Sequence, residues 1–462
     1  MTDSPHMTEA AVALNRFGLG ARGDEPLPAE PKGWLLTQFD RYDPKPPAWA
    51  GLPDAPSLVQ SLAAARRQGA SGANEDAKLE ARKTIRTEVR DAYRDAVGAR
   101  VESALTTPAP FVERLVHFWS NHFAISTEKP QVAALAGAFE AEAIRPHVLG
   151  RFEDMLLAVE RHPAMQVYLD QVRSVGPDSA AAMRADARDP QHKRGLNENL
   201  AREIMELHTL GVRTGYTQDD VTEFARALTG WSVVGPKGAG GAPGTFVFRP
   251  ALHEPGARTI MGQRYDEPGE AQALAILHDL AAASATARHV ATKLARHFAG
   301  DDPSPALVAR LSQAFRSSRG DLPTVYRALI ASPEAWSSEP VKFKTPWDWT
   351  ISTLRGLGEH RLDGAKAAPL LAQLGQGVWR PGSPAGYDDV AASWAAPDAL
   401  VRRVELAQRM AARVGDRVDA RTLGPVLTCG SLSRATALAV SRAESAQTAL
   451  ALLLVSPDFQ RR

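Results

Sequence analysis

The stretch NENLAREIMELHTLGV, Asn197 to Val212, places Glu198, Glu203, Glu206 and His208 on what reads as one helix. Wound at 3.6 residues per turn, Asn199, Glu203 and Glu206 fall within about 60° of one another. His208 lies about 180° from Asn199, inside the apolar arc of Leu200, Ile204 and Met205. An earlier stretch, FVERLVHFWSNHF, repeats the pattern: His122 falls with Leu115, Phe118 and Trp119, whereas His117 and Asn121 share the polar side with Arg114. Two helices thus each carry a histidine where the core should be.

A buried imidazole needs a partner, because an unsatisfied polar group costs roughly 1–3 kcal/mol. A metal ion would serve, and helical bundles build such sites from His and Glu one turn apart on facing helices. Nitrogen and oxygen donors suit Mn, Fe or Zn. In this reading His122, His208 and Asp170 are metal ligands. Glu203, Glu206 and His117 are acid–base groups, and Asn121, Glu198, Asn199 and Tyr216 are further site candidates. The plainer reading makes each histidine a hydrogen-bonded core residue. It makes Glu203 and Glu206 a solvated face or partners of Arg202 and Arg226, and Asp170 a helix cap. The spacing Glu203-x-x-Glu206-x-His208 matches no established ligand template.

Weaker signals accompany these. His253 lies in a turn-rich stretch where exposure is expected. Lys342 and Lys344 in KFKTP could bind an anion, but lysines before a helix are usually solvated. In RHVATKLARHF, His289, Lys293 and Arg296 form one stripe, the pattern of a wet helix face. No nucleophile elbow, P-loop or dinucleotide fingerprint appears, so no nucleotide cofactor is expected.

The elements that must position these residues are mostly helical. Helices are expected over about 76–105, 131–146, 150–171, 218–231, 269–283, 285–299, 304–318 and 321–332, with another from Pro346. Thr217 and Asp220 are placed as a capping box. Residues 174–196 read as a long loop that could act as a lid. The Gly/Pro-rich region 233–268 carries two β-like pieces, TFVF and RTIMG, read as a small ribbon at about 244–265. The expected organisation is one unit spanning 1–462. Its parts are N-terminal helices with a Pro-rich linker (1–75), a central helical core with the candidate site (76–232), the β-ribbon (233–268) and a C-terminal helical region (269–462).

Composition excludes several classes. The 462 residues are 44% hydrophobic and 23% charged, with 54 Lys and Arg against 53 Asp and Glu. That balance is globular and does not mark a nucleic-acid binder. No run reaches the roughly 18 apolar residues of a membrane span. The single cysteine, Cys429, rules out an internal disulfide framework and a Cys-rich zinc site. The first residues carry no secretory or twin-arginine pattern, so the expected location is the cytoplasm, with export on a partner left open.

In order along the chain, ALNRFGLGAR, RLVHFWSNHFAIS, HPAMQVYLD, GLNENLAREIMELHTLGVRTGYTQDDVTEFARALTGW, ATARHVATKLARHF, VKFKTPWDWTISTLRGLG and SPAGYDD resemble the bacterial domain-of-unknown-function family numbered 1800. The resemblance covers nearly the whole chain. It implies a predominantly helical fold but supplies no activity. It also implies a partner: many members resemble exported proteins encoded beside a phosphatase-like family that carries a twin-arginine signal. The positions carried over are His117, Asn121, His122, Asp170, Asn197, Glu198, Asn199, Glu203, Glu206, His208, Tyr216 and Asp220, without roles. HTLGVRTGYTQ departs mildly from the family's pattern in a turn. Two functions follow as expectations. One is a metal-dependent enzyme, hydrolytic or oxidative. The other is a non-enzymatic binding or scaffold protein whose buried His and Glu residues form a structural network.

Overall fold

Proline at the first helical position opens Pro110–His122, Pro130–Phe139, Pro163–Tyr168, Pro305–Ser317, Pro346–Gly356 and Pro397–Val414. Its missing N–H is one that the first turn leaves unbonded anyway. Thr217 and Asp220 form the reciprocal capping box of Gln218–Leu228. The computed structural model describes residues 6–71, 75–187, 195–238 and 240–462. It is mostly α-helical, with two small two-stranded antiparallel sheets. Among the described residues no helix is long and apolar enough to cross a membrane.

The expected small β insertion is present, as two hairpins. TFVF does not pair with RTIMG. Phe246–Phe248 pairs instead with Trp231–Val233, and Arg258–Ile260 turns back onto Gln263–Tyr265. The first strand begins earlier than 233 because the preceding helix stops at Leu228 and Gly230, at φ 91°, redirects the chain. The expected loop over 174–196 is partly helix, with the Ser179 hydroxyl capping Ala180–Asp186. The lid assigned to this loop includes residues 188–194, which lie outside the described residues.

The main core gathers Phe17, Val97, Phe111, Trp119, Phe139, Met165, Ile204, Phe224, Leu294 and Tyr326, drawn from most of the chain. A second cluster, with Leu406, Leu450, Leu453, Leu454 and Phe459, belongs to the C-terminal helices. Pro346–Gly356 lies between the two: Trp347 and Ile351 face the main core and Trp349 faces the second. Every residue of that helix is buried, including Asp348 and Arg355. A helix buried all round must satisfy its polar groups internally, and this one does so beside a polar cleft.

Three segments make π-helical turns: Val12–Phe17, Glu140–Ile144 and Ile204–His208. Such turns are rare and recur near functional sites. Each of the three carries a fully buried polar residue: Arg16, Glu140 and His208.

Candidate functional site

His208 ends the helical run that starts at Asn199. The extra residue of the π turn is closed by Thr209 N–H donating to the Ile204 carbonyl at 2.9 Å. The His208 ring is fully buried and its Nδ1 lies 2.7 Å from Glu160 Oε1, also fully buried. Sequence reading missed Glu160, which sits on Phe152–Arg161 with no marker beyond a carboxylate in an amphipathic helix. His122 Nε2 donates to the His208 carbonyl at 3.1 Å, and the two ring centroids are 6.4 Å apart. His289 belongs to the same cluster: its ring lies 5.9 Å from that of His122 and its Nε2 donates to the Leu207 carbonyl at 3.0 Å. Burial pushes His122 well below the usual imidazole range, with Lys293 adding to the effect, and it brings His289 down to about 4.

Among the described residues Glu198, Glu203 and Glu206 make no hydrogen bond to these rings, although His208 acts electrostatically on Glu203. Glu198 is held by Thr222, Gln218 and Arg202. Arg226 pairs with Glu223. Neither arginine therefore serves Glu203 or Glu206, which are half-buried and form no ion pair among the described residues. Burial raises Glu203, and burial together with nearby Glu203 and Glu128 brings Tyr168 to about 12. Tyr216 is raised by burial and then by Glu206. Asn199 is exposed. Asp170 adopts a left-handed φ of 58° before a short 3-10 turn, and its side chain meets Lys129 at 2.8 Å rather than capping a helix. Among the described residues no three His, Cys, Asp or Glu side chains are gathered as a metal ion would require.

The His208–Glu160 pair yields a stability prediction. Glu160→Ala strands a buried N–H and is expected to cost about 1–3 kcal/mol. Glu160→Gln, which can still accept from Nδ1, should cost clearly less. Urea unfolding of both variants distinguishes this network from a carboxylate that is dispensable to the fold.

A polar cleft lies elsewhere, between Pro110–His122, Ser284–Ala299, Pro346–Gly356 and the loop 376–389. Its volume is about 230 Å³, and its wall carries His117, Lys293, Arg296, His297, Asp348 and Asp389. His297 Nδ1 meets Asp389 Oδ2 at 2.6 Å, and its other nitrogen, Nε2, is buried without a hydrogen-bond partner. Burial brings His297 down to about 4 despite Asp389, helped by Arg462 and Arg114. The imidazole is therefore neutral at pH 7, with Nδ1–H donating to Asp389 and Nε2 free to accept. Asp389 is also met by Lys342, through its carboxylate at 3.1 Å and through its carbonyl. Burial alone would raise Asp389, but His297 and Lys342 outweigh it and keep it ionised.

Around this pair, one carboxylate serves two guanidiniums. Asp348 accepts from Arg114 at 2.8 Å and from Arg462 at 3.0 Å, all three being buried. Arg114 also donates to the Gly18 carbonyl, so the Gly-rich turn FGLGARG anchors this cation. Arg100 stacks on Trp347 and Trp379 and meets Glu140 at 3.2 Å. Burial lowers Lys293 to about 8, Asp389 opposing and Arg296 assisting. Among the described residues Lys293 makes no hydrogen bond or ion pair within 4 Å.

Two of the sequence candidates line this cleft. The His117 Nδ1 accepts from Trp347 Nε1 at 3.1 Å, and its Nε2 lies 3.6 Å from Glu113. Both of its nitrogens are thus directed at protein groups. Asn121 clasps the loop, donating to the Tyr387 carbonyl and accepting from the Tyr387 N–H at 2.8 and 2.7 Å. Gly386 permits the approach: its φ is 81°, and a Cβ there would strike the Asn121 carbonyl.

Three expectations are corrected here. The stripe His289, Lys293 and Arg296 is half-buried rather than a wet face: the 376–389 loop shares the cleft with Lys293 and Arg296, and His289 packs against the turn at Leu207 and Gly211. Lys342 and Lys344 are 1% and 2% exposed rather than solvated, since Lys342 joins Asp301 and Asp389 and Lys344 stacks on Phe459. His253 is half-buried and hydrogen-bonds the Thr229 carbonyl. Sequence reading also missed His297 and Asp389. The available signal was the Lys293/His297 spacing of one helical turn, with the acidic end of SPAGYDD far along the chain.

The fold and cleft define a mostly helical protein with a cationic, histidine-bearing pocket under a C-terminal loop. The chain belongs to the family described as "Protein of unknown function (DUF1800)", whose model matches residues 12–461. Comparison with curated proteins and with solved structures gave no match.

Proposed function

We propose that the protein is an enzyme that uses the cleft for general acid–base chemistry on a small molecule, with His297 as the base. The observation that carries this reading is His297 Nε2, a neutral ring nitrogen without a partner at the cleft wall, on an imidazole oriented by Asp389. A carboxylate on Nδ1 selects the tautomer whose Nε2 accepts a proton and stabilises the imidazolium that forms. Asn121 and Tyr387 act as positioning residues by fastening the loop that bears Asp389. Parallel turnover screens of the wild-type protein and His297→Asn, over esters, amides and phosphate esters, test the assignment. Turnover should fall about 10²–10⁴-fold in a folded variant. Undiminished turnover in His297→Asn would overturn it.

A metal-dependent enzyme centred on His122 and His208 is the second reading. Its support is that His122 Nδ1 and His208 Nε2 are both buried and unpartnered, while the opposite nitrogens are fixed by a carbonyl and a carboxylate, the kind of hydrogen bond that orients metal-ligating histidines. Against it stands the lack of a third ligand among the described residues. Mn, Fe or Zn at near-stoichiometric level in protein purified without a metal column, and lost in a folded His208→Ala variant, would favour this reading. In the absence of metal, the His122–His208–Glu160 cluster is a structural network.

A further inference from the structure

We propose that the ligand of this cleft carries a compact oxyanion, a carboxylate or a phosphate, and that Lys293 is its counter-charge. The inference rests on reading the cleft as the site, and it names the substrate class. It starts from which charges are already matched. Arg114 and Arg462 share Asp348. Lys342 holds Asp301 and Asp389. Arg100 is matched by Glu140. Lys293 has no such partner, and Arg296 spends only its Nε, on the Asp301 carbonyl at 3.1 Å. The two guanidiniums on Asp348 are offset by the two carboxylates on Lys342, and Asp388 on the same wall accepts from the Ser393 hydroxyl, so among the described residues Lys293 and Arg296 are the cleft cations left without a carboxylate. The nearest acid of influence, Asp389, is already committed to His297 and Lys342.

An ammonium drawn out of bulk water without a partner is costly, and the fold would lose that cost by placing an apolar residue there. An incoming anion provides the missing partner. A charge-assisted hydrogen bond in a desolvated cleft is stronger than one at the surface. Size narrows the ligand: about 230 Å³ lies below the roughly 300–1,000 Å³ of pockets that take drug-sized molecules. A small anion fits where an extended one does not. His297, neutral beside it, adds no repulsion.

The test is calorimetric titration of the full chain at low ionic strength with inorganic phosphate and, separately, with acetate. Glycerol is the uncharged control. Saturable binding of one anion is expected, and which one binds assigns phosphate or carboxylate. Lys293→Met should weaken it at least tenfold, whereas Lys293→Arg should stay within a few-fold. Thermal unfolding without anion supplies a second readout. Lys293→Met should be as stable as the wild-type protein or more so, because no ion pair is lost, and anion-induced stabilisation should vanish. Failure of both anions to bind, affinity unchanged in Lys293→Met, or destabilisation of that variant without ligand would each overturn the proposal. His297→Asn separates this inference from the enzyme reading. Anion binding retained in that variant, with turnover never found, would leave the anion site standing and remove the base. Turnover on neutral substrates alone would do the reverse.

Discussion

Asp348→Ala is expected to cost about 3–5 kcal/mol of stability, the range for leaving a buried charge without its partner. Asp348 is 6% exposed and its two oxygens are divided between Arg114 and Arg462, at 3% and 0%. Burial alone would raise its pKa, but the two guanidiniums outweigh it and hold the carboxyl far below the usual range. Removing the carboxylate leaves two guanidiniums facing each other in low dielectric. Replacing Arg114 by Met in the same chain should recover part of the loss, because an apolar substitute for a buried pair can be nearly neutral. Urea unfolding of the single and double variants measures this. A loss below about 1 kcal/mol for Asp348→Ala would mean that water reaches the guanidiniums and that the cleft is wetter than its packing indicates.

The second large effect is acid destabilisation beginning well above the carboxylate range. His297 and His289 are held near pKa 4 and His122 is held low, in each case first by burial. The unfolded chain binds a proton at each near pH 6.5. A folded-state pKa below the unfolded value means that the native state favours the neutral ring. That stability is present in full above pH 6.5 and is lost as pH falls through 6.5 toward about 4. For His297 the difference corresponds to about 3 kcal/mol at the acid limit. The ionised acids Asp348, Asp389 and Glu113 are held below the usual range by their cationic partners, and their contribution is lost only below about pH 4. Between pH 6.5 and 4 the histidines therefore dominate. Denaturation midpoints should fall steeply across that window, and His297→Asn should flatten the slope. Equal midpoints at pH 7 and pH 4.5 would contradict the burial of these rings.

The helical elements were legible because their signals are short-range. Pro110, Pro305 and Pro346 start helices through geometry confined to one turn, and Thr217 with Asp220 closes a box three residues long. The same periodicity placed His122 and His208 in apolar arcs, and both are buried, at 1% and 0% exposure. It could not show the π turn at Ile204–His208, since a single i→i−5 step leaves no residue signature. Nor could it show that TFVF would pair back onto Trp231–Val233, because strand partners are chosen by what else needs covering.

The sequence by itself determined that the chain is mostly helical and that certain histidines would be buried, since these follow from local backbone geometry and from 3.6-residue periodicity. The tertiary structure alone decided what those histidines meet and where the cleft lies. Glu160 reaches His208 across 48 residues, Asp389 reaches His297 across 92, and Asp348 reaches Arg114 across 234. A helix wheel ranks Lys293 and Arg296 as surface residues because it does not include the 376–389 loop that shares the cleft with them. Charge matching, burial and the resulting shifts in proton affinity are properties of what packs across such separations. No local pattern encodes them.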